Sequence, residues 1–183
     1  MNKQKTNRQL SEVIDELFDQ EQWVAARKIL LRELRDAPDN HWLLTRLGTT
    51  YYEQRKYGSA LKIAEQALEL APECPLVLWD LAGDLDATGD HEAAIRIYRK
   101  LIKRGVHSLA NGECGEGVAW AESLIADCWY RLGLCYEAAG KIPSAIAALG
   151  RFRNLLFTCV SSLYSFDDVR RHLHNLKTVC AVK

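Results

Sequence analysis

Four residues within one short stretch carry side chains able to ligate a metal or exchange electrons: His107, Glu113, Cys114 and Glu116, in VHSLANGECGEG, with Cys128 a little further on. Imidazole, thiolate and carboxylate together would suit a zinc or thiol-redox centre, but the spacing follows no metal-ligand pattern and contains no CxxC. The remaining cysteines, Cys74, Cys135, Cys159 and Cys180, are scattered and read as free thiols. Cys128 and Cys135 fall seven apart on one helix face, where a small, weakly polar side chain fills core space. His172 and His174, two apart on a helix, point to different faces and cannot share a metal, so a solvated basic face is expected. No nucleophile elbow, HExxH or phosphate-cradling glycine loop occurs, and GEGVAW has too few glycines for a nucleotide fingerprint. The expectation is a protein that is not an enzyme, with no metal and no cofactor.

With catalysis set aside, the elements that repeat become the main signal. From His41 to Cys74 the chain holds two helical patterns. Leu44, Leu47, Gly48 and Tyr51 share one face of the first, and Leu61, Ala64, Ala67 and Leu68 share one face of the second. Gln54-Arg55-Lys56 forms the polar turn between them, and Pro72 closes the unit. A lone helical hairpin cannot bury both seams, whereas stacked copies can. A shift of 34 residues carries Leu47-Gly48, Tyr51, Ala60 and Ala64 onto Leu81-Ala82, Leu85, Ala94 and Tyr98, or back onto Val13-Ile14, Leu17, Ala26 and Leu30. A shift of 85 reaches Leu132-Gly133, Tyr136, Ala145 and Leu149, which implies about 17 inserted residues.

Leu47-Gly48-x2-Tyr51, Tyr57, Ala60, Ala67 and Pro72 resemble the tetratricopeptide repeat (TPR) family, and the resemblance extends over most of the chain. The flanking copies depart from the pattern: Val13-Ile14 replaces the Leu-Gly pair, and Val106 and Phe157 replace the closing proline. The expected fold is all-α, a right-handed α-α superhelix (solenoid) of about four helix-turn-helix repeats plus a C-terminal capping helix. The expected division is a disordered lead over 1–6 and a single domain over 7–183, with repeats 7–40, 41–74, 75–108 and 126–159, an insertion over 109–125, and a capping helix over 165–180. Asn40 and Asp90 read as N-caps, and Ser165 with Asp168 as a capping box. Gly105 reads as a helix end, and the glycines at 112, 115 and 117 as a loop that turns back on the following helix through Val106 and Leu109.

In that family the first helix of each repeat lines a concave groove that binds partners. By register the groove positions here are Trp42, Thr45, Thr49 and Tyr52, then Trp79, Gly83 and Asp86, then Tyr130, Leu134 and Glu137, with Trp79 and Tyr130 in equivalent places. Large aromatics with a polar tip bury much area at low entropic cost, so these are candidate anchors. The family's clamp for acidic chaperone tails is not reproduced: the matching positions hold Asp80, Asp127 and Arg131, or Asp15, Arg46 and Asp80, with one arginine each. Glu113, Cys114 and Glu116 of the insertion would stand near the mouth.

The 24 basic and 24 acidic residues are interspersed at zero formal net charge, which argues against a nucleic-acid footprint or a membrane-binding basic patch. The polar N-terminus has no apolar core of a signal sequence, so a cytoplasmic protein is expected. The function expected is a protein-protein interaction scaffold, an adaptor or chaperone-like module that holds a protein segment in an aromatic-lined groove. The alternative is a structural subunit that forms homo-oligomers through its end helices.

Overall fold

In the computed structural model, which describes residues 3–158 and 160–181 and the side chains of 9–158 and 160–178, every regular element among the described residues is a helix. The chain divides into two compact units, residues 1–72 and 73–183. The first contains α1 (Lys3–Asp19), α2 (Trp23–Asp36), α3 (His41–Tyr52) and α4 (Tyr57–Leu70). The second contains α5 (Pro75–Ala87), α6 (His91–Asn111), α7 (Val118–Ala138), α8 (Ile142–Phe157) and α9 (Phe166–Ala181). Helix α1 opens at Lys3, inside the stretch where a disordered lead is expected; Met1 and Asn2 lie outside the described residues, as does Cys159 at the end of the last repeat.

One turn recurs in both units. A residue two or three positions past each first helix is left-handed: Glu21 (φ 54°), Arg55 (φ 57°), Gly89 (φ 95°) and Gly140 (φ 71°). At each turn the next amide reaches five residues back, from Gln22 to Leu17, Lys56 to Tyr51, Asp90 to Leu85 and Lys141 to Tyr136, at 2.8 to 2.9 Å. With the left-handed residue's own amide bonded three residues back, two orphan carbonyls are satisfied and the chain reverses, so the repeat period is also a period of helix endings. Caps fix the restarts. Asn40 accepts from the amides of Trp42 and Leu43, Asp90 accepts from Ala93, and Ser165 and Asp168 cap each other reciprocally at α9.

The first unit is centred on Ile14, Ala26, Leu30, Leu43 and Leu47, contributed by its first three helices. In the second, α7, α8 and α9 enclose Ala126, Tyr130, Ala145, Leu149, Phe152, Val169, Leu173 and Leu176. Gly133 is required at the α7–α8 crossing, since a Cβ there would lie 2.6 Å from the Leu149 side chain. Gly48 occupies the same register position in α3 with only ordinary contacts, the nearest at 3.8 Å, so close crossing does not explain both glycines.

The insertion is shorter than the glycines suggest. Helix α6 does not stop at Gly105; it passes through a break there (φ 74°, ψ 163°) and resumes to Asn111, which leaves only 112–117 as loop. The resumed turn is held because Leu109 and Ala110 are buried, and burial of a leucine offsets the local cost of the break. Helix α7 then begins at Val118, ahead of its repeat, with Ala121 and Leu124 buried.

Candidate functional site

In the first unit the expected groove residues are largely engaged with their own helix. The Thr45 hydroxyl donates to the Trp42 carbonyl at 2.8 Å and the Thr49 hydroxyl to the Thr45 carbonyl at 3.1 Å. Trp42 packs against the core with the Arg46 guanidinium 5.5 Å from its ring centroid, and Tyr52 meets Tyr57 edge-on at 5.2 Å. The polar centre of this unit lies elsewhere. Arg27 of α2 donates to the Thr50 hydroxyl (3.1 Å), the Thr50 carbonyl (2.8 Å) and the Gln54 side chain (2.7 Å), while its guanidinium lies 3.8 Å over the Tyr51 ring. The planar fork suits several fixed acceptors at once, and the stacked ring covers its face.

In the second unit, α5 and α7 touch and bring acids and one arginine together. Asp86 pairs with His91 at 2.8 Å and lies 3.8 Å from Arg131, whose Nε donates to the Tyr98 hydroxyl at 3.3 Å. Trp79 stands edge-on to Tyr98 at 5.5 Å, with Gly83 half-buried one turn along. Asp84 is different in kind. It is 2% exposed and stands one helical turn from Asp80 on α5. Burial and the neighbouring Asp80 charge raise its pKa to about 8, against the pull of Arg131. Asp127 is buried too, but Ser162 and the Leu163 amide bond it, so its acidity is only weakened by burial.

The register places Tyr130 in the groove, and the structure corrects this. Tyr130 is 5% exposed, stacked on Tyr164 at 4.0 Å and tilted against Phe152 at 5.1 Å. The segment before α9 covers it, and a helix register read from sequence does not reveal what a later segment covers. Leu134 packs on the same core, and Glu137 meets His172 Nδ1 at 2.8 Å, so His172 belongs to a half-buried pair rather than a solvated face. Glu113 and Glu116 are exposed in the 112–117 loop, whereas Cys114 is half-buried with its thiol against that of Cys74.

Of the expected residues, then, Trp79, Gly83 and Asp86 share one face with an arginine, and Asp84, the buried acid beside them, was not among them. The signal that could have found it is Asp80 and Asp84 one helical turn apart: two like charges on one face raise each other's pKa. A separate feature also escaped the sequence reading. Arg96, Arg99, Lys100, Lys103 and Arg104 line an open basic hollow of about 700 Å³ along α6. No helix among the described residues is long and apolar enough to cross a membrane.

Two family models described as tetratricopeptide repeat match residues 45–108 and 127–155. Among solved structures, MamA residues 41 to the end from Desulfovibrio magneticus RS-1 is similar with a TM-score of 0.71 at 14% identity, over 95% of this chain and 85% of that one. The MamA RS-1 ArsTM double mutant gives 0.69 at 14% identity, over 93% and 83%. A further MamA crystal structure gives 0.60 at 20% identity, over 78% and 74%. At such identities the likeness is one of fold, an all-α repeat solenoid. No curated protein sequence matches significantly.

Proposed function

From the premise that the chain belongs to the tetratricopeptide repeat family, we propose that it is a non-catalytic scaffold that holds a segment of another protein. The segment lies against the α5–α7 face and brings a lysine or arginine to Asp84. The observation that carries this reading is the Asp84 carboxylate, buried beside Asp80 with its pKa pushed up to about 8. A buried acid beside a like charge is costly to ionise, and it is held neutral until a cation arrives. Trp79 and the half-buried Gly83 one turn along the same helix offer an apolar wall, which suits the alkyl stem of a long basic side chain. Cys74, Cys128 and Cys135 carry free thiols, which supports placing this scaffold in a reducing compartment such as the cytoplasm.

Labelled peptides with a central arginine between apolar residues test the reading by fluorescence anisotropy. Binding to the natural chain is expected to exceed that to Asp84→Asn by about tenfold, and glutamate in place of the arginine should abolish it. Because the bound cation stabilises the charged carboxylate, Asp84 loses its proton on binding near neutral pH, and calorimetry in buffers of different ionisation heat reads that release. Equal affinity for the natural chain and Asp84→Asn would sink the proposal.

A second reading, self-assembly, is favoured by exposed apolar side chains: Val13, Val24 and Leu31 in the first unit, and Phe157, Leu163 and Phe166 in the second. Sedimentation decides it, since a monomer mass that does not change with concentration at micromolar levels removes it.

A further inference from the structure

Two cysteines 40 positions apart in the chain are held against each other by separate anchors on one helix. Cys74 is the residue before α5, and its side chain caps nothing. Its neighbour Glu73 is tied down twice: Lys100 pairs with its carboxylate at 2.7 Å, and Arg104 donates to its carbonyl, both from α6. Cys114 sits in the loop that leaves the same helix. That loop closes on itself, with the Gly115 amide on the Gly112 carbonyl at 3.0 Å and the Gly117 amide on the Ala110 carbonyl at 3.3 Å. Position 115 has no room for a side chain, since a Cβ would lie 2.5 Å from the Leu109 carbonyl oxygen and 2.6 Å from that of Ala110. The loop backbone is therefore pressed onto the end of α6, and Cys114 takes a left-handed conformation (φ 62°) that a residue with a side chain adopts only when its surroundings impose it. The two sulfurs lie within 4.8 Å of each other.

We propose that Cys74 and Cys114 are a redox-modification site that closes into a reversible intramolecular disulfide, with a small-molecule disulfide such as oxidised glutathione as co-reactant. The access differs for the two thiols: Cys114 is half-buried and within reach of solvent, whereas Cys74 is 3% exposed. The order of events follows. The Cys114 thiolate, its proton lost to solvent, attacks one sulfur of the glutathione disulfide; a Cys114–glutathione bond forms and the first glutathione thiolate leaves. Cys74 then gives its proton to solvent and attacks the Cys114 sulfur, forming the Cys74–Cys114 bond and expelling the second glutathione. Two protein thiols are oxidised by two electrons and one glutathione disulfide is reduced to two thiols.

Kinetics give the pair a signature. Burial, the adjoining Cys74 thiol, and the acids Glu113 and Glu116 push the Cys114 pKa up to about 12. Its thiolate is scarce at neutral pH, so the first exchange is slow and climbs with pH without levelling off near the ordinary cysteine value. The pair then acts as a slow recorder of redox state rather than a fast sensor. Cys128 and Cys135 do not compete, because both are fully buried and burial raises both pKa values.

The full chain is incubated with oxidised glutathione across a pH series, quenched by alkylation, and mapped by mass spectrometry. The expected product is a Cys74–Cys114 cross-link that forms about tenfold faster for each pH unit between roughly 7 and 9, and is reversed by a dithiol reductant. Cys74→Ser should stop at a glutathione adduct on Cys114; the cross-link in the natural chain carries the test by itself if that variant does not fold. A Cys114 adduct that persists in the natural chain, or a pair that reacts only in denaturant, would overturn the proposal. So would stoichiometric zinc on the purified protein that blocks oxidation until a chelator is added, which would make the two thiols metal ligands instead.

Discussion

Arg27 in the first unit and Arg131 in the second both bridge helices, and they do different things. Arg27 in the first unit meets three acceptors and an aromatic face, and no carboxylate is part of that arrangement. Arg131 in the second meets Asp86 and Tyr98, while Asp84 beside it is buried next to Asp80 with its pKa pushed up to about 8. The first arrangement is complete and stabilises the fold. The second keeps a buried acid next to a like charge, which costs stability when it ionises and is what one expects of a site that awaits a ligand. The presence of a buried charge therefore says little about function; whether its partners are all on the same chain says more.

Removal of Arg27 should have the largest effect. Arg27→Ala strips the buried Thr50 carbonyl and hydroxyl of a charged donor and is expected to cost about 3 kcal/mol, read as a lower urea midpoint with an unchanged slope. A loss under about 1 kcal/mol would erase the contrast between the two arginines.

The opposite sign is expected at Asp84. Its folded pKa is raised from 3.8 to about 8, so the folded chain binds more protons than the unfolded one between those values. The associated stability is fully present below about pH 4 and is lost as pH rises towards 8. Asp84→Asn cannot ionise, so its stability should overtake that of the natural chain over this range and lead by about 2 kcal/mol at pH 8. A natural chain that gains stability between pH 5 and 8 relative to Asp84→Asn would reverse the assignment.

The paired glycines sharpen the comparison further. Gly133→Ala drives a methyl group into Leu149 and should cost about 1.5 kcal/mol, whereas Gly48→Ala, with ordinary contacts, should be neutral or slightly stabilising by thermal melting. The smallest effect belongs to the turns. The first unit pays left-handed strain at Glu21 and Arg55 where the second has Gly89 and Gly140. Arg55→Gly should therefore gain about 0.5 kcal/mol, the strain relieved exceeding the added freedom of the unfolded chain.

The helices and their repeat were readable because periodicity is a local property: Leu47-Gly48 and Tyr51 recur at a fixed interval, and Asn40, Asp90 and Ser165 announce helix starts by their own chemistry. What escaped depends on contacts distant in sequence. Gly105 looks like an ending, yet α6 resumes because Leu109 finds a core. Tyr130 looks like a groove residue until Tyr164, 34 positions later, stacks on it. Cys74 and Cys114 share no motif, and only the anchors at Glu73 and the crowding at Gly115 bring their sulfurs together. The seven-residue interval from Cys128 to Cys135, by contrast, placed both correctly in the core.

The hold of Asp127 on Ser162 and the Leu163 amide bears on how faithfully this chain stays with itself. A terminal helix on a connector is the usual currency of domain swapping, in which two copies trade the same element and each completes the other's core. Here the connector between α8 and α9 is pinned at its middle to α7, so α9 cannot reach a neighbour without first breaking bonds to a buried carboxylate. Concentrated protein should remain unswapped, while Asp127→Ala should yield a slowly interconverting dimer on size-exclusion chromatography after partial unfolding.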